Sequence, residues 1–113
     1  MIPKKLYAVC DRNEKIKFFV EFLDDAVKLG CRNGFYNIVY LDNETGNILD
    51  KTSIDDVIFQ KYCEIRIDLK KKYKYYDAWG LECEAVMKTA SYYEIDSTEV
   101  KYAILNLNDR IYG

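Results

Sequence analysis

Residues 53–79, SIDDVIFQKYCEIRIDLKKKYKYYDAW, decide how the rest of the chain is arranged. With each helical residue turned about 100° from the last, Ile58, Tyr62, Ile65, Leu69, Tyr73 and Tyr76 fall within an arc of about 80°. An apolar stripe renewed every three or four residues over about five turns is what a helix needs to lay one side on a core. Ser53 is placed to cap its start. Asp55 and Asp56 stand in the first turn and the lysines collect at the far end, each where the helix dipole favours that charge. Arg66, Lys70 and Lys74 form a basic stripe beside the apolar one. The competing reading is a strand, because Glu64 to Lys70 (EIRIDLK) alternates as a half-buried strand would. The helix accounts for more of the apolar positions, so it is the reading adopted.

Working outward, a chain of 113 residues and 13.4 kDa is one compact domain by size, spanning 1–113, with enough chain for its own core. Half of the residues are apolar and 15% are aromatic, which excludes a disordered chain. The 11 tyrosines suit a core that reaches the surface and a surface that binds. A net charge of −2 points by itself neither to nucleic acid nor to a membrane. No apolar run approaches the roughly 18 residues of a membrane span, and the opening MIPKKLYAVC lacks the apolar core of a secretory signal. Cys10, Cys31, Cys63 and Cys83 are far apart with no C-x-x-C, as expected of reduced thiols that fill core gaps in a cytoplasmic protein.

Lys5 to Cys10 (KLYAVC) reads as a strand. Asn13 then offers a cap for a helix through Leu29, with Gly30 as its left-handed stop. On the wheel that helix carries two apolar stripes: Ile16, Phe19, Val20, Leu23 and Val27, then Phe18, Phe22, Ala26 and Leu29. A surface helix needs one. The second stripe is expected to be covered by the sheet with another helix, or by a partner or a second copy of the chain packing on Phe18, Phe22 and Leu29.

Phe35 to Leu41 is the clearest strand. Asp42 to Asn47 is turn chemistry, and Ile48-Leu49 begins a return strand. After the long helix and a break at 77–80, a third helix covers Leu81 to Tyr93. Its seam is Trp79, Cys83, Val86, Ala90 and Tyr93. Asp96 with Glu99 resembles a capping box opening a last helix to about Asp109, with Val100, Ala103 or Ile104, and Leu107 inward. The expected fold is α+β: a small antiparallel sheet of about three strands, including a hairpin near 35–50, packed with about four helices, the longest near 53–77.

Chemistry is sparse. Histidine is absent, which removes the commonest general base and metal ligand. The cysteines lack the paired spacing of a thiolate metal site, and the loop at 43–47 has one glycine and no G-K-[ST] cradle for a phosphate. No cofactor, metal or catalytic residue is expected. Asp68-Leu69-Lys70 resembles the D-x-K half of a magnesium-dependent nuclease motif, but only on the strand reading.

The strongest binding signal is Lys70 to Tyr76 (KKKYKYY), in which lysines can meet phosphates and tyrosines can stack on unpaired bases. The expected role is a non-catalytic macromolecule-binding protein whose partner is a protein. It would serve as an adaptor or an inhibitor, and a phage- or mobile-element-encoded antagonist of the anti-CRISPR type is one concrete form. Its surface would be Phe18, Phe22, Leu29, Arg66, Lys70, Lys74 and Tyr75. Single-stranded nucleic acid on residues 66–76 is the alternative partner, and a membrane is not expected.

Overall fold

Strand β1 (Lys5–Cys10) is the inner strand on which an antiparallel sheet is built. It pairs on one side with β2 (Ile16–Val20) and on the other with β3 (Asn37–Asp42); β4 (Ile48–Ser53) pairs with β3, giving the order β2-β1-β3-β4. Helix α1 (Leu23–Asn33) connects β2 to β3. The computed structural model describes residues 5–35, 37–42, 44–74 and 77–112. It divides into two compact units, residues 1–54 and 55–113, and each is described by itself. The class is α+β, with four strands rather than about three, and four helices, among the described residues.

The additional strand lies where a helix over 13–29 is expected. Asp11 is the reason the chain turns there. Its carboxylate accepts the N–H groups of Asn13 and Lys15, both at 2.9 Å, and Glu14 takes a left-handed φ of 63°. Asn13 therefore belongs to a turn and caps nothing. The chain reverses, and the β-branched and aromatic run IKFFV finds an unpaired edge on β1. Pairing with β1 outweighs the local helical pattern, so the helix begins only at Leu23. Nor does it stop at Gly30. It runs to Asn33 and closes at Gly34, where φ is 70° and both the Gly34 and Phe35 N–H groups donate to the Gly30 carbonyl. Gly30 has a different task, since a Cβ there would collide with the Ile54 side chain, while Val9 would stand at ordinary contact distance. The missing side chain lets α1 lie close on Ile54, where β4 passes into the next helix.

Helix α2 (Ile54–Lys72) follows β4 without a loop, and its residues from Asp55 onward belong to the second unit with α3 (Ala78–Tyr93) and α4 (Ser97–Tyr112). Glu64–Lys70 is helix throughout, which removes the strand reading. Ile58, Tyr62 and Leu69 are buried as the stripe requires. The helix ends at Lys72, before 77, so Tyr73 lies beyond it and is 57% exposed; Tyr76 falls outside the described residues.

Helix α3 starts three residues before its expected position because the Asp77 side chain caps it, accepting the Gly80 N–H at 2.8 Å. Its buried face is Leu81, Ala85, Val86, Thr89, Ala90 and Tyr93, and it packs against α4. The expected seam is thus half displaced: Trp79 is 74% exposed and Cys83 is on the surface. Thr89 takes a place inside because its hydroxyl donates to the Ala85 carbonyl at 2.7 Å, leaving no orphaned polar atom. In α4, Val100, Ala103 and Leu107 are buried as expected, with Asp96 accepting from both the N–H and the hydroxyl of Thr98 at 2.9 Å.

Candidate functional site

The sheet has two unlike faces, and the strand registers assign each residue to one of them. Val9 lies beside Gly30 of α1, so the face carrying Val9 is the helix-covered one. Its cross-strand partners Phe18 and Ile38 share that face, as do Tyr7, Val20 and Tyr40. The opposite face carries Ala8, Cys10, Val39 and Leu41, which form a buried cluster, with Phe19 paired to Ala8 and Lys51 paired to Val39.

Strict alternation would send Ile16 and Ile48 to the helix side. Each is turned to the open face by a β-bulge in its edge strand: the pairing Val9–Phe18 is followed by Cys10–Ile16, and Tyr40–Asp50 by Leu41–Ile48. A one-residue slip in register flips a side chain from one face to the other. The result is an open sheet face with an apolar floor and three exposed apolar side chains around it: Ile16, Phe19 (61% exposed) and Ile48.

Between Ile16 and Ile48 lies a pocket of about 130 Å³, floored by Cys10 and Val39. Asn37 and the ion pair of Lys51 with Glu14 stand at its polar end. Its volume is near that of a dry cavity that accepts a benzene-sized group. Burial, followed by the neighbouring Asp11 carboxylate, pushes the Cys10 thiol above its ordinary value, so the sulfur on the floor is an apolar atom and not a thiolate.

Of the residues expected to bind, Phe18, Phe22 and Leu29 are not one helical stripe. Phe18 is on β2 on the helix-covered face, 36% exposed, with its ring 5.9 Å from that of Phe35. Phe22 is the N-cap residue of α1, in extended backbone conformation and 66% exposed. Leu29 is half-buried within α1. Phe19 and Ile16, expected inside, are exposed. The signal for this arrangement was the β-branched and aromatic run IKFFV directly after the turn-forming residues Asp11 to Glu14.

The basic stripe fares differently. Arg66, Lys70 and Lys74 are brought together, with Tyr73, Asp77 and Leu81, along one open groove of about 470 Å³ within the second unit. Arg66 Nη2 lies 3.9 Å from Glu82 Oε1 at the side of the groove. Burial, then the Glu82 carboxylate, pushes the nearby Tyr62 phenol above its ordinary value and keeps it neutral. Lys70 and Lys74 have no ion-pair partner among the described residues, whereas Lys72 turns aside to Asp68 at 3.0 Å. Tyr75 lies outside the described residues.

The D-x-K triplet sits in α2, where Asp68 is engaged by Lys72, and the strand that the nuclease pattern needs is not there. Among the described residues no three His, Cys, Asp or Glu side chains come together as a metal site, and no helix is long and apolar enough to cross a membrane. None of the cysteines is in a disulfide; they range from buried Cys10 through half-buried Cys31 and Cys63 to exposed Cys83, which does not fill a core gap. No protein-family model matches the sequence, and no curated protein or solved structure matches it either.

Proposed function

We propose that this is a non-catalytic protein-binding module, an adaptor or inhibitor working in the cytoplasm, which seats its partner on the open sheet face. One observation carries the reading: both edge strands are bulged so that Ile16 and Ile48 join Phe19 on the face that α1 leaves uncovered. Bulges are placed where a strand must re-aim a side chain. Apolar side chains aimed outward around a pocket the size of one anchor residue are the form of a protein-recognition hot spot. The paired Lys51 and Glu14 add a rim with little net charge, which suits a partner surface that is itself apolar at its centre.

Photo-crosslinking in the native host tests this directly. A photoreactive phenylalanine analogue replacing Phe19 should give a discrete adduct with one protein species, and Ile48→Glu should remove it. The same analogue at Tyr102, an exposed position on α4, should give none. An adduct of twice the chain mass would identify the partner as a second copy of this chain. Equal labelling from positions 19 and 102, or none from 19, would refute the reading.

A further inference from the structure

We infer that the groove bounded by Arg66, Lys70 and Lys74, with Tyr73 at its side, is a second binding site, and that its ligand is a single-stranded nucleic acid. The argument begins with charge. Arg66, Lys70 and Lys74 recur every four residues, so one side of α2 and the segment just past it deliver three cations to one groove. Two carboxylates stand beside them, one fewer than the cations. Asp77 accepts the Gly80 N–H as the cap of α3, and Glu82 lies against Arg66. Lys70 and Lys74, with no carboxylate partner among the described residues, face the open volume. Such a groove selects an anion.

The aromatic side chain selects which anion. Tyr73 lines the groove between Lys70 and Lys74 and is more than half exposed. An acidic peptide offers no flat face to that ring, and a duplex hides the faces of its bases. An unpaired base stacks on such a ring while its phosphate meets a lysine. A base on Tyr73 with phosphates on the flanking lysines therefore matches the groove. This site is independent of the sheet face, and either can fail without the other.

Fluorescence anisotropy with a labelled oligouridylate decides the matter. Phosphate contacts at the two unpaired lysines predict a slope of log K against log salt of about −1.4, and Lys70→Ala with Lys74→Ala should bring it close to zero. Tyr73→Ala should weaken binding about tenfold, as loss of one stacked base does. The pair Lys88→Ala and Lys101→Ala, which removes two exposed lysines outside the groove, should change neither quantity. Helical circular dichroism must be unchanged in every variant counted. The inference is overturned by no binding at about 50 mM salt. It is equally overturned by a hairpin duplex binding as tightly, by a decaglutamate peptide competing on equal terms, or by the Lys88 and Lys101 pair mattering as much as the groove lysines.

Discussion

Replacing Gly30 by alanine probes how α1 is seated, and with it which sheet face is left open. A glycine inside a helix costs about 0.5–1 kcal/mol relative to alanine, so on local grounds Gly30→Ala should stabilise. The surroundings argue the other way. The new Cβ would fall on Ile54 Cδ1, far inside the ~3.5–4.0 Å at which two carbons rest, with Ile54 Cγ1 at 3.3 Å and Val9 Cγ1 at 3.7 Å. Ile54 is itself buried, so its end methyl must leave its rotamer or α1 must lift away.

Overfilling of this kind costs about 1–3 kcal/mol, and set against the propensity gain it leaves a net loss of roughly 0.5–2 kcal/mol. Ile54→Val deletes the obstructing methyl at a cost of about 0.5–1.5 kcal/mol when made alone. Combined with Gly30→Ala it should cost less than the sum of the two, by about 1 kcal/mol. Urea unfolding of the parent, both single variants and the double variant, followed by far-ultraviolet circular dichroism, measures all four corners. A Gly30→Ala protein more stable than the parent, or strict additivity with Ile54→Val, would refute the reasoning, because α1 would then not lie where the open face requires.

Three further outcomes follow from single residues. Phe19→Glu, on an exposed position of an edge strand, should change stability by no more than about 0.5 kcal/mol, whereas Ile38→Ala, wholly buried on the helix-covered face, should cost about 2–5 kcal/mol; comparable losses in urea unfolding would mean Phe19 is core. The Thr98 N–H, then its hydroxyl, hold the Asp96 carboxyl below its ordinary 3.8. Its contribution to stability is therefore present above that pH and lost as pH falls through the lower folded value. A carboxyl carbon resonance of Asp96 titrating at or above 3.8 would contradict the cap. Tyr7 is pushed up to about 12, first by burial and then by its cross-strand neighbour Tyr40, whose ring is 4.4 Å away. With the folded value raised, its contribution is intact below the ordinary 10.0 and fades as pH rises toward 12, so phenolate absorbance should show a late-ionising component that shrinks by one tyrosine in Tyr7→Phe, while the late share of Tyr62 remains.

What could be read in the sequence divides along a physical line. Where one period has no rival, or one accounts for far more positions than the other, the residues specify their structure: the hairpin Asn37–Ser53 and the capped helix at Ser97 are of the first kind, the buried Ile58, Tyr62 and Leu69 of the second. Over residues 13–29 two periods fit. Helical spacing collects nine apolar side chains, and strand spacing explains only Ile16 to Val20. The shorter fit prevails because β1 is an edge waiting for a partner, and its hydrogen bonds lie outside any local window. The same holds for the basic groove. Arg66, Lys70 and Lys74 are visible as a stripe, but the end of α2 at Lys72 exposes Tyr73, which the stripe had assigned to the core.

The open face is illegible for a sharper reason. Each bulge shifts pairing by one residue, between Val9 and Cys10 on one side and between Tyr40 and Leu41 on the other. No composition rule marks such a shift, since neither bulge rests on a glycine: the extra residues are Lys17 and Leu49. Yet the two shifts decide whether Ile16 and Ile48 join the face under α1 or the one that looks outward. Without them the outward face would present Lys17, Phe19, Leu49 and Lys51, an ordinary mixed surface. With them it presents Ile16, Phe19, Ile48 and Lys51, so the β2 bulge exchanges a lysine for an isoleucine while the β4 bulge exchanges one apolar side chain for another. The irregularity in β2 is thus what makes its end of this face apolar, and the one in β4 sets which apolar side chain stands across the pocket from Ile16.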